Sequence, residues 1–360
     1  MTDVHRSRKD QHLDLCLGAD VGFRQRTTLL EEVEVVHDAL PDFALESVDP
    51  SVTLLGRQLR LPVVISAITG GTERAEAINR RLAAAAQAEG TAFGFGSQRL
   101  LLEEGIRTGF EVRDVAPETL ILGNIGLAQA RRASPEALFE MLEISGADAL
   151  CLHLNVAQEV VQAEGARDFR AGLQTIQRLV EELGKPLVVK ETGCGLSRSV
   201  GMRLREAGVT CVDVGGAGGT SWVGVEALRT AGRPARVGET FWDWGIPTAA
   251  SIAQVHDLGF EIVATGGLAN GLDALRALAL GAKAVGFARH LLPYAVDPDP
   301  DAVRIRIEEI GDEIRMGLLL AGARTPEDLR TQPVVIGPRL LPWVPPGAPL
   351  CERRCGAPRG

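Results

Sequence analysis

Four side chains able to bind a polar ligand or a metal fall within seven positions: His153, Asn155, Gln158 and Glu159. They follow the apolar run Ala149-Leu-Cys-Leu152, which reads as a buried strand turning polar at its C-terminal end. Alternate residues of a strand share a face, so His153 and Asn155 are expected to point the same way. A carboxylate beside an amide just past a strand end, as in Gln158-Glu159, suits Mg²⁺ next to a phosphate group. The plain alternative is a strand followed by a polar loop, and this stretch alone does not separate the two.

The residues need a scaffold, and a repeating unit supplies it. Apolar strand candidates lie at 61–67, 92–95, 120–122, 149–152, 186–189, 210–214, 261–264 and 284–287. Between them fall helical segments: an Ala-rich one ending near Glu89, one starting at the Ser134-Pro135 cap, and others over about 169–183 and 271–280. Eight short strands alternating with helices predict an α/β fold with a parallel sheet closed into a (β/α)8 TIM barrel. The alternative is an open doubly wound sheet. Polar and glycine signals follow every strand, however, and do not gather at one switch point. Residues 1–60 then form an N-terminal arm and a barrel-closing strand or hairpin, 61–322 the catalytic barrel, and 323–360 a Pro/Arg-rich tail.

Composition narrows the partners. A net charge of −9 over 360 residues argues against nucleic acid held by bulk electrostatics. No apolar run reaches the roughly 18 residues of a spanning helix, and the polar N-terminus is no signal peptide, so a cytoplasmic protein with no membrane partner is expected. Of six cysteines, Cys151, Cys194 and Cys211 sit in or near strand candidates, where a thiol acts as a small hydrophobe. Cys351 and Cys355 lie in the tail, without the second pair or His cluster that a zinc site needs; the tail reads as disordered or as a partner arm. Arg6, Arg8, Lys9 and His12 form a basic cluster, either a solvated arm or one that folds over an anionic ligand.

The strand ends alone give Thr69, Ser97, Asn124, His153, Asn155, Lys190, Thr220, Gly266, Gly267, Ala288 and Arg289. This is a ring of donors and amides suited to a large planar polar cofactor. Glycines after strands seven and eight lie where barrels bind phosphate, though each also serves a plain tight turn. The run 215–219 offers a candidate anion nest. Lys190 closes a buried strand, so it must meet an anion. That anion is either Glu191, as a salt bridge, or the electron-rich edge of a flavin.

The motifs Ala67-Ile-Thr-Gly-Gly71, Gly96-Ser-Gln-Arg99, His153-Leu-Asn-Val-Ala-Gln-Glu159, Val189-Lys-Glu-Thr-Gly193 and Asp213-Val-Gly-Gly-Ala-Gly-Gly-Thr-Ser-Trp222 occur in this order at barrel spacing. With Arg8-Lys9, His12, Trp244-Gly-Ile-Pro-Thr248 and Thr265-Gly-Gly-Leu268, the chain resembles the type 2 isopentenyl-diphosphate isomerases from about residue 8 to 320. The resemblance implies FMN held by Ala67, Ile68, Thr69, Ser97, Asn124, Lys190, Thr220, Gly267, Ala269, Ala288 and Arg289. It implies a substrate diphosphate met by Arg8, Lys9, Ser97, Gln98, Arg99, His153 and Asn155. Gln158 would lie beside the allylic carbons, making Gln158, His153 and Asn155 the catalytic group, and Glu159 would ligate Mg²⁺. The implied reaction is a 1,3-proton shift between isopentenyl and dimethylallyl diphosphate on reduced FMN, with NADPH as reductant, in a homo-oligomer (tetramer or octamer). Three positions depart from the family pattern. Ile68 stands for Met, Gly215 for a Ser whose hydroxyl could reach a ligand, and Ala269 for an Arg that could reach phosphate. An FMN oxidoreductase of the hydroxy-acid oxidase type is the rival enzyme, and a flavin-binding protein without catalysis the rival of another class.

Overall fold

Period-two alternation along eight short strands builds the scaffold. The computed structural model describes residues 2–348 and 350. The side chain of Arg6 and the cysteines Cys351 and Cys355 lie outside the described residues. The strands are β1 (Val63–Ile65), β2 (Ala92–Gly94), β3 (Ile121–Gly126), β4 (Ala149–Leu154), β5 (Leu187–Glu191), β6 (Cys211–Asp213), β7 (Glu261–Ala264) and β8 (Ala284–Phe287). All pair in parallel with their neighbours, and β8 closes on β1 through Val285↔Val63. The closed barrel excludes the open doubly wound sheet.

Inward-facing side chains form one apolar layer: Val64, Ala92, Leu122, Cys151, Val188, Cys211, Val263 and Ala284 pack with one another and with Leu54 and Leu59 of a hairpin below. That hairpin, Val52–Leu54 paired with Arg57–Leu59, plugs the N-terminal end as the sequence suggests. Leu54 is wholly buried there, a gain of about 1.5–3 kcal/mol for a side chain of its size. Two residues further along each strand, on the same inward face, the layer turns polar or small: Ser66, Gly94, Asn124, His153, Lys190, Asp213, Thr265 and Gly286. This layer is the floor of the candidate site.

Outward-facing residues such as Phe93, Leu152 and Val212 join the larger core under the helices. The helix starts follow the capping signals: Thr72 and Ser134 accept from Ala75 and Ala137 backbone N–H groups.

The three-part division is crossed by contacts at both ends. Val334–Ile336 pairs antiparallel with Val33–Val35. Leu340 and Val344 lie in the same buried core as barrel residues. Within the described residues the expected tail is therefore body, not arm: its Val-Val-Ile run buries alternate residues despite the prolines around it. At the other end, α1 (Thr2–Gly18) runs across the C-terminal mouth, and a strap over 21–28 follows. The strap is bonded in by Ser221 N to Val21 O (2.8 Å), Phe23 N to Gly219 O (3.0 Å) and Ala249 N to Thr28 O (2.9 Å).

Candidate active site

A cavity of about 800 Å³ opens above the polar layer, within the range of cofactor sites. Every candidate ligand-binding residue named from the sequence resemblance lines it except Gln98. The Gln98 side chain is fully buried and turned away, its Oε1 accepting the Asn124 N–H at 2.9 Å. It braces the β2–β3 edge, which corrects its expected place against the diphosphate.

The β3–β4 side fixes His153. Asn124 lies inside β3, and its Nδ2 donates to Phe95 O at 2.9 Å, setting the amide orientation. Asn124 Oδ1 then accepts from His153 Nδ1 at 2.8 Å, which leaves Nε2 as the acceptor of the neutral ring. Burial, and then the nearby Lys190 charge, push the His153 pKa down to about 3. Asn155 has left the strand: its Nδ2 donates to Gln158 Oε1 (3.2 Å) and Glu159 Oε1 (3.1 Å). Gln158 and Glu159 sit on a short helix, α2 (Val156–Val161), and not in a loop. The second Glu159 oxygen accepts the Ala166 N–H at 2.5 Å, and Arg167 bonds the Glu159 main-chain oxygen. No group of three or more His, Cys, Asp or Glu suited to a metal occurs among the described residues.

Sequence reasoning misses the partner of Gln158. Glu226 lies on α3 (Trp222–Arg229), with its side chain wholly out of solvent. It accepts from Gln158 Nε2 (3.3 Å), His12 Nε2 (2.9 Å) and Arg229 Nε (2.8 Å). Burial raises its pKa, but the His12 and Arg229 contacts outweigh that, and the net shift is downward. Arg229 also pairs with Glu164 (2.7 Å), and Arg8 lies 3.7 Å from the same carboxylate. The only sequence signal is the spacing Trp222/Glu226, one helical turn that places both on one face.

Lys9 meets the carbonyls of Gly70 and Ser97, the latter at 3.0 Å, and lies 5.0 Å from the Phe110 ring centroid. Burial and then the charge of Arg8 lower its pKa to about 7. The unfolded chain holds this proton up to about pH 10.5, so ligand-free stability rises with pH between about 7 and 10.5 as the penalty for the buried ammonium is relieved. A polyanion favours the charged forms of both Lys9 and His153. Inorganic pyrophosphate binding at pH 8 is therefore expected to take up protons. Titration heats that do not depend on the buffer's ionisation enthalpy would rule this out.

At Lys190 the structure replaces the expected partner. Its ammonium donates to the Glu191 main-chain oxygen (2.8 Å) and pairs with Asp213 (3.5 Å), not with the Glu191 carboxylate. That carboxylate folds back onto the N–H groups of Thr192 (2.6 Å), Gly193 (2.7 Å), Cys194 and Gly195 (3.2 Å). Burial still lifts its pKa to about 7.

The glycine loop is a packing device. Gly215 has φ +47°, and a Cβ there would strike the Glu191 backbone, so this fold needs glycine where the family pattern has Ser. A Cβ at Gly218 would strike Thr28, and one at Gly219 would strike Gly267. At Ala269 the backbone is already in use: N–H to Asp273 (3.1 Å) and carbonyl to Arg306 (3.1 Å). Gly267, Ala288 and Arg289 line the cavity at this end.

FMN fits these groups. Ser66 and Thr69 line the cavity, and their hydroxyls are buried and without hydrogen-bond partners. Asn124 Oδ1 keeps a lone pair for an N–H donor, Lys190 supplies a cation, and Arg289 stands at the glycine end.

The chain is similar to known proteins over most of its length. Residues 126–336 match the family model "FMN-dependent dehydrogenase". An isopentenyl-diphosphate delta-isomerase of Methanothermobacter thermautotrophicus is 42% identical over 342 residues, 94% of this chain and 95% of that protein. One from Synechococcus sp. is 46% identical over 314 residues, 86% of this chain and 90% of that protein. Among solved structures, mandelate oxidase with (S)-2-phenylpropionate superposes with a TM-score of 0.66 at 20% identity, covering 93% of this chain and 98% of that one. That level of identity speaks for the barrel alone, whereas the sequence relatives decide the membership: this chain belongs to the isopentenyl-diphosphate delta-isomerase family.

Proposed function

We propose that the protein interconverts isopentenyl and dimethylallyl diphosphate by a 1,3-proton shift, using reduced FMN and Mg²⁺, with NADPH supplying the reducing electrons. The observation that carries this reading is Gln158, an uncharged amide tethered to the buried Glu226 carboxylate at 3.3 Å in a cavity that also holds Lys190 and Arg8. Reduced FMN, when bound, supplies a proton donor and acceptor for an alkene too weakly basic for ordinary side chains.

The chain's own residues do the rest. Lys9, Arg8, Ser97, Arg99 and His153 hold the diphosphate, and Glu159 would hold Mg²⁺, which would neutralise phosphate charge there. Thr69, Asn124, Lys190, Thr220, Gly267 and Arg289 hold the cofactor. Gln158 fixes the reacting carbons, with Glu226 and His12 fixing Gln158. α1 covers the mouth and excludes water. The working protein is a cytoplasmic homo-oligomer, a tetramer or octamer; no described helix is long and apolar enough to cross a membrane.

The oxidase reading is favoured by the fold neighbours and disfavoured by His153, whose pKa near 3 makes it a poor general base at neutral pH. One anaerobic assay separates the two. Dithionite should replace NADPH, with many turnovers per electron pair. Stoichiometric loss of reductant with product would sink the isomerase reading, and anaerobic reduction of the FMN by a 2-hydroxy acid would favour the oxidase.

A further inference from the structure

Lys190 and Asp213 face each other across β5 and β6 in register, both on the polar floor layer. Their charged atoms are 3.5 Å apart, and both side chains are nearly closed to solvent. Lys190 lines the cavity, whereas Asp213 lies behind it. Asp213 is held independently of the lysine: Oδ1 accepts the Thr265 hydroxyl from the end of β7 at 2.5 Å and the Gly215 N–H at 3.1 Å. Lys190 likewise has its own anchor, the Glu191 carbonyl. Neither group needs the other for its position, so what the pair shares is charge.

We propose that Asp213 is a positioning and charge-setting residue for the flavin: it offsets the Lys190 ammonium, so that the cofactor meets a moderated positive field. The inference rests on FMN occupying the cavity. A full unopposed cation beside the flavin would stabilise its reduced anion strongly. A reduced flavin held too firmly as an anion is a weaker base. An isomerase that returns the same proton inventory each cycle is served by a balanced field, and the carboxylate placed behind the lysine supplies that balance. Thr265, from the adjacent strand, keeps the carboxylate aimed at the lysine.

The test is the midpoint potential of bound FMN, read by dye-equilibrated reductive titration of the holoenzyme. Asp213→Asn keeps size and hydrogen bonds but removes the charge, and it is expected to favour reduced over oxidised FMN about tenfold, a rise of about 30 mV for a two-electron couple. Asp213→Glu should return most of the way to the parent value, which loss of packing alone would not do. An unchanged or lowered potential in Asp213→Asn overturns the proposal. If that variant does not fold, Lys190→Gln is compared with Lys190→Gln/Asp213→Asn in excess FMN. The double variant must have the higher potential, and equal potentials overturn the proposal. A parent protein that takes up no FMN overturns the functional reading as well, so the two failures are distinguishable.

Discussion

Glu226→Gln is expected to lower kcat at least ~100-fold, the scale of a lost proton-handling or orienting group, while FMN loading stays near that of the parent. The carboxylate receives hydrogen bonds from Gln158, His12 and Arg229 at once. An amide in its place has one acceptor oxygen and offers an NH₂ group where these partners need an acceptor. Gln158 then loses its single orientation, and His12, the link to α1, loses its hydrogen-bond acceptor. Glu226→Ala is the harsher change. It leaves the Arg229 guanidinium and His12 without their buried anion, and unpairing a buried charge costs about 3–5 kcal/mol. Steady-state turnover with isopentenyl diphosphate, flavin absorbance and thermal unfolding distinguish the outcomes. A Glu226→Gln protein with the parent's kcat would mean that Gln158 is oriented by Asn155 alone, through their 3.2 Å contact.

Why Glu226 escapes sequence reading while His153 does not is a matter of where each sits. His153 lies at the end of an apolar run, and a strand's end in a parallel barrel is the site face, so the inference needs only local pattern. Glu226 lies within a helix, where a carboxylate ordinarily faces solvent. Only contact with His12, 214 positions away, reveals it. Gln98 misleads for the opposite reason. Its place after β2 is right for a site residue, but the direction of a single side chain past a strand end follows no alternation. Its amide goes to the neighbouring strand's backbone. Lys190 is legible as a buried cation needing an anion, yet the nearest acid in sequence is the wrong one. Glu191 sits on the alternate face of the strand, and the register partner on β6, Asp213, is the acid within reach. Likewise the glycines of 215–219 are legible as a turn but not as the close backbone packing that excludes a Cβ at Gly215. The barrel itself is legible because eight apolar runs are each followed within two residues by glycine or a polar residue, and two of them, Glu261–Ala264 and Ala284–Phe287, fall where the structure has them.

Glu159→Gln should leave FMN content and thermal stability nearly unchanged while raising the Mg²⁺ needed for half-maximal turnover by about tenfold or more, since removing one charged ligand costs on the order of 1.4 kcal/mol or more of metal affinity. The geometry makes the change gentle for the fold. Glu159 Oε2 accepts the Ala166 N–H and Oε1 accepts the Asn155 amide. A glutamine oxygen can keep the first of these, and its NH₂ must then find another acceptor beside Asn155. The Arg167 bond goes to the Glu159 main chain, so no buried cation is stranded by loss of the carboxylate. One carboxylate is enough for an ion that fills its shell with water and phosphate oxygens. Gln158→Ala provides the contrast. It removes the group proposed to lie beside the reacting carbons and should cut turnover without moving the Mg²⁺ titration. A Glu159→Gln enzyme that titrates with Mg²⁺ like the parent would place the metal elsewhere, and it would leave Glu159 as the residue that holds the loop at Ala166 in place.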